Sequence, residues 1–184
     1  MSILQRTAVS DWKCMTSVKF LAVSLLLLFS FSLHSQCLSV NGSAGTDLIG
    51  TQAFTGRMGM RFTVNSPIVV SRLGAFDSGH DGFNSTITVA IVNAAGTVVV
   101  PSDGTPLSLF GVAGTYNGPF LMSGGFTSVT LLPGTYTVVA YGYGASEMNG
   151  NTNSGSPLAV LNTGGDIISH DGSLWDNTAA MGVP

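Results

Sequence analysis

Charged residues are scarce in this chain: Lys, Arg, Asp and Glu together make up 8% of its 184 residues. Lysine does not occur after Lys19, and from Gln36 onward three arginines oppose eight acidic residues; three minus eight gives a net charge of minus five. A surface without a basic run cannot neutralise a row of phosphates. Nucleic acid is therefore not an expected partner, and anionic membrane surfaces are disfavoured for the same reason.

Long apolar runs are also rare, and the clearest one, residues 20–33, has the composition of an export signal. It follows Lys19 and precedes small polar residues, with Ser35 as the last residue before the predicted cleavage. An uncleaved anchor is the weaker interpretation, because 14 residues with three serines are too few for a helix that spans a bilayer. We predict a helical signal peptide in residues 1–36, membrane contact only through this segment, and a mature protein that is secreted or held at the cell surface.

The first 14 residues fit this signal poorly. Asp11 and Trp12 place an acid and a bulky ring ahead of an n-region that is usually short and basic. Met15 is therefore the better initiator, and we expect the secreted protein to begin at Gln36.

Cysteine is almost absent from the predicted mature protein. Cys14 precedes the cleavage position, so Cys37 is the remaining thiol and no intramolecular disulfide can form. Stability must then come from packing. Lipid attachment at Cys37 is one interpretation, but the preceding His34, Ser35 and Gln36 lack the small apolar residues that such cleavage favours; a frayed terminal thiol without a role is the preferred one.

Helical periodicity is missing after Gln36, where no stretch of ten or more residues carries an apolar stripe. Instead, apolar Met58, Met60, Phe62 and Val64 alternate with smaller or polar residues, which is the period of a half-buried strand. We predict an all-β fold: a two-sheet antiparallel β-sandwich of jelly-roll type, formed as a single domain by residues 37–184.

Turn residues divide this predicted domain into short strands. Residues 86–92 and 98–100 flank a four-residue connection with a glycine and should form a hairpin, and residues 126–132 and 136–143 should form a second one around Pro133-Gly134. A strand with a bulge or close contact at Gly74 is predicted over residues 68–76. Weaker strands are predicted at residues 107–112, 158–162 and 166–169, and a solvent loop at residues 147–156.

The order of these motifs resembles that of a known family. Residues 59–82 (GMRFTVNSPIVVSRLGAFDSGHDG), 86–100 (TITVAIVNAAGTVVV) and 129–143 (VTLLPGTYTVVAYGY) are similar to domain of unknown function 4082, a β-sandwich family of secreted bacterial proteins. The resemblance covers roughly residues 56–172. It implies an exported sandwich, sometimes attached to other surface modules, and no catalytic residue to carry over. Such domains usually continue into a final strand, so we expect a C-terminal truncation that leaves an unpaired neighbouring strand.

The densest polar cluster is residues 77–82 (DSGHDG). Asp77 and Asp81, four residues apart and held by glycines, predict a candidate calcium site, since calcium prefers oxygen ligands. The preferred alternative is that both aspartates accept hydrogen bonds from backbone amides in an Asx-type turn. A zinc site that joins His80, His170 and an aspartate is a weaker alternative. No other cofactor is expected.

No motif for a nucleophile elbow, a zinc protease or a phosphate loop occurs in the sequence, so no enzyme activity is expected. Aromatic residues offer a different function. Of Tyr116, Tyr141, Tyr143 and Trp175, we prefer Trp175 as a ligand-stacking residue, with Asp171 and Asp176 beside it. Phe62, Phe76 and Tyr136 are expected in the core.

Three functions follow from this sequence. The leading hypothesis is a non-catalytic module for binding or adhesion, whose partner is a glycan, matrix or a surface protein. The second is a structural module that assembles through an exposed edge strand. The third is a small secreted hydrolase that uses Asp77, Asp81 or His80.

Overall fold

The structure is a computed structural model that describes residues 49–150 and 166–184, together with the backbone of two short strands, Val40–Asn41 and Val160–Leu161. All of these residues belong to the unit Gln36–Pro184. The predicted signal helix, the initiator Met15, Cys37 and most of the predicted loop at residues 147–156 lie outside the described residues.

Every regular element in the described part of the chain is a strand, so the predicted all-β class is confirmed. The strands, in chain order, are β1 (Val40–Asn41), β2 (Arg57–Val64), β3 (Ile68–Val70), β4 (Leu73–Phe76), β5 (Thr88–Asn93), β6 (Val98–Val100), β7 (Leu107–Ser108), β8 (Thr115–Asn117), β9 (Phe120–Ser123), β10 (Val129–Leu131), β11 (Gly134–Tyr141), β12 (Val160–Leu161) and β13 (Ile168–Asp176).

The strands form several antiparallel sheets. The largest has the order β13-β2-β11-β5-β6, with β7 also paired to β5. A three-stranded sheet has the order β4-β9-β8, and two pairs, β10-β3 and β1-β12, complete the set. In the largest sheet β2 pairs with β11 so that Phe62 lies opposite Tyr136, and β13 forms the outer strand beyond β2.

One hydrophobic core joins the largest sheet to the smaller ones. Its buried members come from alternate positions of the large sheet, from β4, β9 and β10, and from the connecting loops. Phe62 and Val89, both fully buried, lie on the same face of the large sheet as Ile91. Burial of one such side chain stabilises the fold by about 1.5–3 kcal/mol, so period-two alternation in the sequence is enough to orient these strands.

The opposite face of the large sheet is covered too. Ala90, Val92 and Val139 are buried there, although they alternate with the core residues. The segment after β13 returns across this face: a Cβ placed on Gly59 would lie 3.2 Å from Pro184 Cγ, and one on Gly96 would lie 3.6 Å from the amide of Val183. The last residues of the chain therefore shield this part of the sheet.

Two strand predictions are wrong. β10 does not form a hairpin with β11; it pairs with β3, because β11 already has β2 on one edge and β5 on the other. The predicted strand over residues 68–76 is broken at Ser71 and Arg72, and its halves β3 and β4 join different sheets. The close contact at Gly74 is confirmed, since a Cβ there would lie 2.7 Å from the Leu121 carbonyl oxygen.

One predicted hairpin and part of one predicted weak strand are present in the structure. The hairpin of β5 and β6 is confirmed, with a register irregularity between Ile91 and Val92. The weak strand expected at residues 166–169 is confirmed only at residues 168 and 169, which begin the nine-residue β13; residues 166 and 167 form a turn. Strands β8 and β9 were missed because they have only three and four residues on either side of Gly118-Pro119, and such short runs do not show a recognisable alternation.

Candidate functional site

The loop from Asp77 to Asn84 follows β4 directly and begins inside the protein. Asp77 is fully buried, and its amide donates a hydrogen bond to the Pro119 carbonyl at 3.0 Å. The loop then turns sharply: Gly79 and Gly82 have φ angles of 92° and 88°, in the region that favours glycine. His80 lies between them with φ of 60°, which histidine tolerates better than most residues.

The Asp77 carboxylate holds this loop together. Its Oδ2 accepts hydrogen bonds from the Gly82 amide, at 3.0 Å, and from the Tyr116 hydroxyl of β8. Its Oδ1 is buried and has no hydrogen-bond partner among the described residues. The interpretation of Asp77 as an amide acceptor therefore describes one of its two oxygens.

A second buried carboxylate, Glu147, supports the same loop from the other side. Its side chain is 1% exposed, and its two oxygens accept hydrogen bonds from the amides of Ser78 and Asn84, each at 2.9 Å. Burial raises the pKa of Glu147, and the two amide bonds oppose that shift. The predicted solvent loop is wrong at this residue: Glu147 faces inward because the amides at both ends of the loop need an acceptor.

The predicted solvent loop is also wrong at Asn149, which is 3% exposed and exchanges backbone hydrogen bonds with Gln52. Sequence reasoning missed both residues. The available signal was that Glu147 is the single glutamate after Gln36 in a chain whose other acids are aspartates.

His80 and Tyr116 stack beside Asp77. Their ring centroids are 4.2 Å apart with an interplanar angle of 28°, and His80 Nε2 is buried without a partner in the described part of the chain. Partial burial of the phenol raises the pKa of Tyr116 to about 12, helped by its hydrogen bond to Asp77 and by the charge of that carboxylate. Tyr116 remains 42% exposed, so the cluster reaches the surface at this ring.

The two residues of the predicted calcium site differ in their surroundings. Asp77 is buried, whereas Asp81 is exposed and accepts a 3.4 Å hydrogen bond from the Asn84 side chain. Within residues 49–150 and 166–184, no three side chains of His, Cys, Asp or Glu gather as a metal site, so the zinc combination with His170 is not assembled there. Calcium binding by Asp77 and Asp81 stays a prediction.

Trp175 lies on β13 and is 69% exposed. Its indole packs edge to face with the ring of Phe54; the ring centroids are 5.8 Å apart and the interplanar angle is 90°. Trp175 lies opposite Met58 in the register of β2, on the same face as exposed Ser173 and His170. The indole therefore stands at the end of a polar strip on the outer strand of the largest sheet.

The aspartates predicted beside Trp175 are placed elsewhere. Asp176 follows Trp175 in the strand and so points to the opposite face, where Arg57 donates to it with contacts of 2.6 to 3.0 Å. That hydrogen bonding lowers the pKa of Asp176. Asp171 lies at the β-bulge of β13 and accepts a 2.7 Å hydrogen bond from Thr63. The structure does not bring the three predicted ligand residues together.

Phe62, Phe76 and Tyr136 follow the core expectation. Phe62 and Phe76 are buried, and Tyr136 packs against Phe62 with centroids 5.9 Å apart. Tyr143 is buried as well and donates to the Phe76 carbonyl at 3.1 Å; burial raises the pKa of its phenol. Tyr143 is thus a core residue rather than a ligand-binding one.

No helix in the described ranges is long and apolar enough to cross a membrane. Comparison with known proteins adds no relative, because no family model, curated protein or solved structure matches the chain.

Proposed function

We propose that the chain is an exported, non-catalytic β-sandwich of jelly-roll type that binds a glycan, in the matrix or at a cell surface, through Trp175. The observation that supports this most is the exposure of the Trp175 indole, 69%, on the outer strand of the largest sheet. An indole left in water forgoes much of the stabilisation that its burial would give. A stacking partner would recover it.

The surroundings of Trp175 suit a neutral sugar. A flat indole offers an apolar surface for the C–H face of a pyranose ring, and Phe54 fixes its orientation from the side. Ser173 and His170, on the same face of β13, offer hydrogen-bond partners for sugar hydroxyls. The net charge of minus five from Gln36 onward disfavours acidic polymers, so neutral glycans are the expected class.

A single-tryptophan titration tests this proposal. The chain has two tryptophans, and Trp12 precedes Gln36, so protein that begins at Gln36 carries Trp175 alone as its indole reporter. Neutral glycans found by array screening should shift its emission to the blue in a saturable way, and Trp175→Ala should lose array binding. Phe110→Ala, which removes another exposed aromatic ring at 56% exposure, is the control and should bind normally.

Two results would count against the glycan proposal. The first is silence across glycans and surface polymers. The second is binding that survives Trp175→Ala but is lost in the Phe110→Ala control.

Assembly through an edge strand is the alternative, and β13 favours it. This nine-residue strand pairs with β2 along one edge, and no described strand pairs with the other. Free edges of this length can pair with another chain. Light scattering should then show association that rises with concentration and falls in Ser173→Lys, since a charge on an edge strand opposes pairing. Strictly monomeric behaviour of the unmodified chain would remove this alternative.

A further inference from the structure

Two buried side-chain atoms in the loop after β4 have no hydrogen-bond partner among the described residues: Asp77 Oδ1 and His80 Nε2. Buried polar atoms are nearly always paired, and each exception calls for an explanation. A carboxylate oxygen can only accept, whereas a neutral imidazole nitrogen can accept a proton or bind a metal. Both atoms can therefore donate an electron pair to the same cation.

The rest of each side chain is already fixed. Oδ2 of Asp77 is occupied by the Gly82 amide and the Tyr116 hydroxyl, which leaves Oδ1 in a defined position. The His80 ring stacks on the ring of the same tyrosine, 4.2 Å away. Both side chains contact Tyr116, Asp77 through its Oδ2 and His80 through its ring. Hydrogen bonds that orient a ligand in this way are the usual support of a metal site.

The charge around this region also favours a cation. Asp77, Asp81 and Glu147 belong to or touch the loop, and Glu147 has both oxygens occupied by amides. The ion pair found within the described ranges joins Arg57 and Asp176 and is not part of the loop. Three carboxylates without a basic partner in the described loop repel one another, and a bound cation would relieve that repulsion.

We propose that Asp77 Oδ1 and His80 Nε2 bind a divalent transition-metal ion of the zinc class, with water in the remaining coordination positions. An imidazole ligand favours zinc, nickel, copper or cobalt over calcium and magnesium, which prefer oxygen alone. With two buried ligand atoms from the protein, the site leaves coordination positions open, as zinc sites that exchange a ligand do. This site is separate from the Trp175 surface and holds whether or not that surface binds glycan.

Calorimetry with zinc sulfate and with calcium chloride tests the proposal on protein that begins at Gln36. We expect saturable 1:1 zinc binding that His80→Asn weakens at least tenfold, since asparagine tolerates the positive φ at this position. His170→Asn, at the exposed histidine on β13, is the matched control and should bind zinc normally. Asp77→Asn should also lose zinc binding, and circular dichroism will show whether that variant is folded.

Cobalt provides a second measurement that does not depend on stability. Co²⁺ bound in place of zinc should give visible absorption bands that are present in the unmodified protein and in His170→Asn and absent from His80→Asn. Zinc binding of equal strength in His80→Asn would overturn the proposal, as would the absence of saturable zinc binding. Calcium binding that is indifferent to His80→Asn, without any for zinc, would assign the loop to a carboxylate site instead.

Discussion

The hydrogen bond from Tyr116 to Asp77 should contribute strongly to stability, and Tyr116→Phe isolates it. The substitution keeps the ring that stacks on His80 and removes only the hydroxyl. Oδ1 of the buried carboxylate already has no partner among the described residues, so the variant leaves Oδ2 with the Gly82 amide alone. Hydrogen bonds to charged groups contribute about 1.5–3 kcal/mol, and we expect the free energy of unfolding to fall by that amount.

Tyr136→Phe is the matched control. The Tyr136 hydroxyl donates to the Leu132 carbonyl at 3.0 Å in an exposed position, where water can replace it. The acceptor is neutral, and the ring stays packed against Phe62. We therefore expect a loss of about 0.5–1 kcal/mol at most. The difference between the two variants measures what the buried charge adds to an otherwise similar tyrosine hydrogen bond.

Urea unfolding at pH 7, followed by circular dichroism, provides the comparison. The midpoint of Tyr116→Phe should decrease with no change in slope, because the surface exposed on unfolding is the same. For a domain of about 150 residues, a loss of 1.5–3 kcal/mol corresponds to a melting temperature lower by roughly 3–12 °C. A loss no larger than that of Tyr136→Phe would refute the reasoning and would mean that Asp77 does not depend on Tyr116.

Two pH profiles and one glycine substitution extend these tests. Burial raises the pKa of Glu147, so this residue contributes to the free energy of unfolding fully below pH 4.5, and the contribution should be lost as the pH rises through the folded-state pKa. In urea titrations at several pH values, Glu147→Gln should flatten that pH dependence. Arg57 lowers the pKa of Asp176, so the stabilisation that this ion pair contributes above pH 3.8 should be lost as the pH falls through the folded-state pKa. Asp176→Asn should not show this loss. Gly142→Ala should destabilise by about 3 kcal/mol or more, because φ is 107° and a Cβ would meet the Thr86 carbonyl oxygen at 2.1 Å. Gly144→Ala, whose Cβ would lie in ordinary van der Waals contact 3.9 Å from Thr55 Cγ2, should melt near the unmodified temperature.

The alternation of apolar and polar residues in the sequence predicted those strands that bury one of their two faces. It worked best for β2, where Phe62 and Val64 point to the core and their neighbours do not. It could not predict which strands pair, because pairing depends on which edges are free. β10 and β11 flank a favourable Pro-Gly turn, yet both edges of β11 are occupied by β2 and β5. A local turn signal carries no information about such competition.

The candidate loop was predicted from sequence, but its supports were not. Its aspartates and glycines are adjacent in the chain and show a turn by themselves. Tyr116 and Glu147 lie 39 and 69 residues away from the groups that they contact, Asp77 and Ser78. No spacing rule connects residues at such distances, because the sheets decide which loops meet.

Burial of Asp77 and Glu147 in one region is the least expected feature of this fold. A buried carboxylate without a basic partner opposes folding unless hydrogen bonds replace the lost water. Here three amides and one hydroxyl do so, and the amides of Ser78, Gly82 and Asn84 all belong to the loop itself. Replacing either acid by an apolar residue would leave those amides unpaired, so the carboxylates determine the shape of the loop. A fixed loop would keep Asp77 and His80 in place before the proposed metal ion arrives, which would lower the ordering cost of binding.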